Sequence, residues 1–249
     1  MTTPQATTPS PSSNAPPAPL TTTMAEALLP GRAWANLAEA VAALERQSTD
    51  HALRFTKESI PRPDTNLATT MQAAITALDR GDFRGWLGGR AGRALGPAGR
   101  AELIAELARE FGQFVRLAND VEPGQWRLFL LPLFDGNEWH PIRFFSRQQG
   151  QQDDENEGSS AGKRFIVEVE LTRLGAIQLD GLVNANRFDL MVRSRHPIAA
   201  AAQRNIEKIF QEALELSEVA GRLQFQVAAE FPVDPTRERA GEVDAAILV

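Results

Sequence analysis

The feature that most constrains this chain is a change of hydrophobic period after Pro123. Before it, apolar residues recur every three or four positions; beyond it they recur every second position. A segment patterned for one period cannot bury its apolar side in the other form. The chain is therefore expected to be α+β, with its helices gathered ahead of its strands.

On the helical side, Leu28, Trp34, Leu37, Val41 and Leu44 predict an amphipathic helix from about Met24 through about Arg46. Pro61 and Pro63 punctuate a linker. Leu67, Met71, Ala74, Ile75 and Leu78 then predict a second helix ending near Gly81, and Leu103, Ile104, Leu107, Phe111, Phe114, Val115 and Leu117 a third. Residues 24–119 read as one helical region.

On the other side, the runs 126–131 and 142–145 flank the turn-forming Asp135, Gly136 and Asn137 and predict a hairpin. Phe165, Val167, Val169 and Leu171, then Ile177 and Leu179, then Phe188, Leu190 and Val192 alternate with neighbours of the opposite face, as in an antiparallel meander with one buried face. After Pro197, the stripe Ile198, Ile206, Ile209, Phe210, Ala213 and Leu214 predicts a long helix, with Gly221 placed to end it, followed by a strand over 223–227. Residues 120–231 thus read as a small antiparallel sheet, hairpin plus meander, covered by one long helix.

Three segments fall outside both patterns. Residues 1–23 are mostly Thr, Pro, Ser and Ala without a charged side chain and are expected to be a disordered leader. Residues 148–162 (QQGQQDDENEGSSAG) are expected to form a mobile acidic loop, and residues 232–249 a flexible tail. The leader has neither the positive start nor the apolar run of a Sec signal, and no stretch of about 18 apolar residues predicts membrane insertion.

Composition narrows the chemistry. The absence of cysteine removes thiolate metal sites and a cysteine nucleophile, and His51, His140 and His196 are too scattered to make a metal motif. A net charge of −6 argues against a general nucleic-acid binder. The stretch 88–100 (GGRAGRALGPAGR) lacks a preceding strand, and GSSAGK at 158–163 is one spacer short of a phosphate-binding loop, so both read as plain loops. Arg80, Arg84, Arg90, Arg93 and Arg100, with Phe83 and Trp86 between them, read as a solvated face with its rings in the core. Glu168 and Glu170 share a strand face but lack a histidine or metal-ligating partner, while Asp189, Arg193, Arg195 and His196 read as an exposed strand end. No catalytic residue, cofactor site or metal site is expected.

The run RFIVEVELTRLGAIQLDGLV, then RFDLMVRSRHP, then the helix IAAAAQRNIEKIFQEALEL, Gly221 and LQFQ resembles the C-terminal domain of flagellar hook-length control proteins. WRLFLLPLFDGNEWHPIRFF is similar to the preceding family segment, with its apolar-Pro-apolar step at Leu131, Pro132 and Leu133, so the resemblance covers about residues 124–228. It implies a non-enzymatic protein of bacterial flagellum assembly, active at the flagellar type III export apparatus in the cytoplasm and itself secreted through the flagellar channel. There it switches export from hook to filament subunits by docking this domain on the cytoplasmic domain of the export-gate switch protein, with hook or hook-cap subunits as further partners. Carried over by position, Leu174, Gly175, Ile177 and Leu179 belong to the switch core, and Ile247, Leu248 and Val249 resemble the short apolar tails of the family. For each of these, core packing or a plain chain end is the competing reading. A short leader followed by helical periodicity departs from the long extended portion with which the family gauges hook length. A non-enzymatic scaffold or adaptor that reuses the domain outside the flagellum stays open.

Independently of the family, Gly175 is the residue that a connection of about three residues between two half-buried strands requires, because the turn demands a positive φ; Leu174 is expected to turn inward over the hairpin end.

Overall fold

The computed structural model describes residues 33–95, 101–121, 124–148, 162–172 and 174–238. Among the described residues six helices precede the sheet: α1 (Ala35–Gln47), α2 (Thr49–Ser59), α3 (Leu67–Arg80), α4 (Phe83–Leu87), α5 (Gly89–Leu95) and α6 (Ala101–Asn119). They are followed by β1 (Arg127–Phe134), β2 (Trp139–Gln148), β3 (Lys163–Leu171), β4 (Gly175–Asn184), β5 (Arg187–Ser194), α7 (Ala200–Ser217) and β6 (Ala220–Val227). The α+β class and the switch of period after Pro123 are as the sequence predicts.

The six strands form one sheet in sequence order. Strands β1 to β5 are antiparallel neighbours, and β6 returns through α7 to lie parallel to β5. The hairpin around Asp135 is present, held by the Asp135 carboxylate accepting the N–H groups of Asn137 and Glu138, with Gly136 at a φ of 106°. Its two prolines face one another in the Pro132↔Pro141 pair. The Phe134 N–H points out of the sheet to the Pro61 carbonyl at 3.0 Å, so Pro132, two residues earlier, lacks its donor on the same outer side and no ladder bond is lost.

Several expectations need correction. Between Ser48 and Ile60 the chain is helical (α2), entered by the Ser48 hydroxyl accepting from the His51 N–H at 3.4 Å; the polar composition TDHALRFTKES hid a face that buries only Ala52, Phe55 and Thr56. Gly221 does not end α7. The helix closes at Glu218 in the left-handed region with a φ of 53°, and Gly221 lies inside β6, where the Phe188 carbonyl and the Leu214 side chain leave no room for a Cβ. The presumed flexible tail begins as packed chain: Val233 rests on the main core, Pro235 is buried, and residues 235–238 make a turn of helix. Residues 1–32, with the leader, and 149–161, with most of the acidic loop, lie outside the described residues, as do residues 239–249.

A single long helix does not cover the sheet. The main hydrophobic core joins Trp34, Leu37, Leu44, Phe111 and Phe114 of the helical region to Trp126, Leu128, Leu130, Phe145 and Ile166 of β1 to β3 and their approach. All six interior residues of β1 are buried, so this edge strand is enclosed on both faces. The boundary near residue 120 separates helices from strands without dividing this core. Helix α7 covers the other end, where Ile177, Val192 and Ile198 form a smaller cluster with Leu179, Leu190, Ala202, Leu223 and Phe225 around it. An aromatic row connects the two ends: Phe129, Phe144, Phe165, Phe188 and, on α7, Phe210 follow one another at centroid separations between 5.5 and 6.0 Å.

Trp34 anchors the start of α1 in this core. It stands at the helix N-cap with a φ of 64°, a conformation costly for a bulky residue, and contacts with Trp86, Phe111 and Phe114 hold it there.

Candidate functional site

The residues singled out by the resemblance sit on the β3–β4 hairpin and the strand that leaves it. Leu171 pairs with Gly175, so the connection between the two strands is three residues long. Gly175 has the positive φ that the short turn demands, 70°, with the His196 ring as its nearest neighbour. Leu174 does not fold inward. It is 39% exposed at the hairpin tip and is not among the residues packed on the cluster of Ile177, Val192 and Ile198. The structure therefore separates the described members of the group: Ile177 is buried, Leu179 packs half-buried against the same small cluster, and Leu174 is exposed. Ile247, Leu248 and Val249 lie outside the described residues.

The opposite face of these strands carries a polar array that the sequence does not announce. Arg143, Glu168, Gln178, Arg193 and Gln226 occupy one cross-strand row from β2 to β6. Each touches the next. Arg143 pairs with Glu168 at 3.2 Å, the Gln178 amide donates to Glu168 at 2.8 Å, and Arg193 donates to the Gln178 carbonyl oxygen at 3.0 Å and to Gln226 at 3.1 Å. In the adjoining row Asp180 accepts a fork from Arg164 at 2.9 and 2.8 Å and a third bond from Arg193 at 2.9 Å. Burial pushes the Asp180 carboxyl up, but the two guanidinium groups outweigh it and hold the group below the usual carboxylate range.

Arg193 is therefore a buried member of a network and not the exposed strand-end charge expected of it, whereas Arg195 and His196 are exposed as expected. Glu170 is exposed opposite Ala176 and forms no acid/base pair with Glu168, whose carboxylate is committed to Arg143 and Gln178. The sequence signal was a diagonal one. Arg164 stands opposite Leu182, two pairs along from the Ile166↔Asp180 pair, and long side chains bridge such diagonals, but only a known register reveals them.

The chain after β6 closes part of this face. The Gln178 amide also donates to the Val233 carbonyl at 2.8 Å, and the Trp126 indole N–H donates to Glu238 at 2.6 Å while the Arg147 guanidinium lies 4.4 Å above the Trp126 ring. Beyond the closed part, Arg164, Asp180, Arg187, Asp189, Met191 and Arg222 line an open hollow of about 320 Å³. Its carboxylates are each engaged by arginine: Asp180 as described, and Asp189 by Arg187 at 2.6 Å, which holds Asp189 below its ordinary range.

In the helical region Trp86 is buried and Phe83 packs on the core, so the rings between the arginines are structural. Arg80 and Arg84 are exposed, and Arg100 lies outside the described residues. Among the described residues no group of His, Asp and Glu is arranged to hold a metal ion, and no helix is long and apolar enough to cross a membrane. Comparison with protein-family models, curated proteins and solved structures found no match.

Proposed function

We propose that this chain is a non-enzymatic component of flagellar hook-length control that switches export specificity, docking its β-rich half on the cytoplasmic domain of the export-gate switch protein. The observation that carries this reading is the hairpin tip. A Leu-Gly turn with Gly175 at positive φ holds a large aliphatic side chain, Leu174, exposed at the tip. An exposed apolar side chain at a hairpin tip has the form of an anchor residue in a protein interface. The order of strands, turn and helix that carries the resemblance supports the same reading, as does the commitment of the polar face to its own internal pairs.

A pull-down and titration of the full chain against the purified gate domain tests it. Leu174→Asp is expected to weaken binding by tenfold or more with the melting temperature unchanged, whereas Ile177→Ala is expected to lower the melting temperature. Absence of binding by the wild type, or undiminished binding by Leu174→Asp, contradicts the proposal.

A further inference from the structure

The two edges of the sheet are treated differently. β1 is enclosed by α3 and α6, and its end is bonded to Pro61. On the far side, β6 has β5 as its only strand partner among the described residues. The inward bonds fix which of its groups face outward. The Ala220 N–H bonds to Asn186 and the Ala228 N–H to Ser194, so even-numbered residues turn their peptide groups to β5. In a parallel ladder the alternate residues then turn theirs outward. Those are Gly221, Leu223, Phe225 and Val227. The eight-residue strand AGRLQFQV has no proline, lysine or bulge of the kind that shields open edges.

The side chains of this edge are self-complementary. Arg222, Gln224 and Gln226 are exposed on the polar face; Leu223, Phe225 and Val227 lie on the apolar face, Val227 being 57% exposed. When the strand meets a copy of itself antiparallel about Gln224, outward groups meet outward groups along its whole length. Leu223 faces Phe225, Gly221 faces Val227, Arg222 faces Gln226, and Gln224 faces its own copy. No like charges are opposed. This register also places α7, which touches β5 through Phe210 and β6 through Leu214, about 10 Å from its copy, two strand spacings and a normal distance between packed helices. With the right-handed crossover that such parallel connections take, the flank of α7 turned toward the edge bears the exposed Arg204, Glu207, Gln211 and Glu215, so the helix contact is polar.

We infer that β6 is a homodimerisation edge: two copies of this chain join antiparallel through β6, centred on Gln224, to make one continuous twelve-stranded sheet. The mixed and partly polar contact belongs to the weak, reversible class of interface. This inference is independent of the proposed flagellar role.

The chain's lack of cysteine makes the register directly testable. At the non-hydrogen-bonded pair on the two-fold axis the Cα atoms stand about 4.5 Å apart, within disulfide range. Gln224→Cys in the full chain is expected to cross-link as a dimer under mild oxidation. Gln226→Cys is expected to stay at background, since the two copies of residue 226 are about 13 Å apart along the strand. By sedimentation the wild type is expected to show a reversible dimer that grows with concentration, and Gln224→Lys, which opposes two charges on the axis, to weaken it tenfold or more with an unchanged melting temperature. A wild type that stays monomeric at several hundred micromolar overturns the inference and leaves the edge to a foreign strand. Cross-linking at 226 equal to that at 224 overturns the register.

Discussion

The ring of Phe165 on β3 lies over the backbone of Gly181, its partner on β4, and occupies the place a Cβ would take. Phe165 is the middle member of the aromatic row, touching Phe144 on one side and Phe188 on the other. Gly181→Ala is therefore expected to destabilise the protein by about 1–3 kcal/mol, the range for forcing a methyl into a filled space. Chemical denaturation of Gly181→Ala, Phe165→Ala and the double variant checks this. The double variant is expected to be more stable than the two single costs predict, because removing the ring makes room for the methyl.

Two other glycines are expected to respond with opposite signs. Gly175 has a φ of 70°, so Gly175→Val is expected to cost more than about 1 kcal/mol. Gly112, inside α6, has open space where a Cβ would stand, and Gly112→Ala is expected to stabilise by about 0.5–1 kcal/mol. Thermal melts of the two variants beside the wild type decide both.

These glycines also show how far the sequence could be read. Gly175 was legible because the strands on either side fixed a turn so short that only a residue tolerant of positive φ could make it. Gly181 and Gly221 were not, since what makes each necessary is an atom from a neighbouring strand, the Phe165 ring or the Phe188 carbonyl. The same distinction holds for the candidate site. Leu174 could be assigned to a hairpin tip, but whether it turned in or out depended on tertiary packing, and it is not among the residues packed on the cluster of Ile177, Val192 and Ile198. The charge network around Asp180 depended on register. The extent of the core likewise depended on packing: nothing in the period of α6 says that Phe111 and Phe114 share a core with Leu128 and Phe145 across the change of pattern.

Glu110 on α6 offers a pH test. Its carboxylate accepts the Asn36 N–H at 3.3 Å at the start of α1, and burial pushes its pKa up to about 7 against the lowering effect of the Asn36, Leu37 and Ala35 N–H groups. The folded chain therefore holds this proton more tightly than the unfolded chain. The resulting stability is fully present below the ordinary glutamate pKa of about 4.3 and is lost as pH rises through about 7. Relative to Glu110→Gln, the wild type is expected to lose stability between pH 5 and pH 8. Parallel melting curves for the two proteins across this range contradict the assignment.

Asp180 has the opposite sign. Its pKa is depressed on folding, so its contribution is present above the ordinary aspartate pKa of about 3.9 and is lost as pH falls through the folded value. Asp180→Asn leaves Arg193, with a side chain only 10% exposed, short of its counter-charge and is expected to cost about 3 kcal/mol or more at neutral pH. That cost is expected to shrink in acid. Urea titrations at pH 7 and pH 3.5 measure both.

The most direct test of the functional account is made in the organism that carries this chain, by removing residues 124–249 from its only copy and measuring hook length and filament number. The account predicts overlong hooks and few filaments, with Leu174→Asp in the intact chain shifting both in the same direction. Hooks of normal length bearing normal filaments in the deletion strain would contradict it and favour the scaffold or adaptor reading of the same domain.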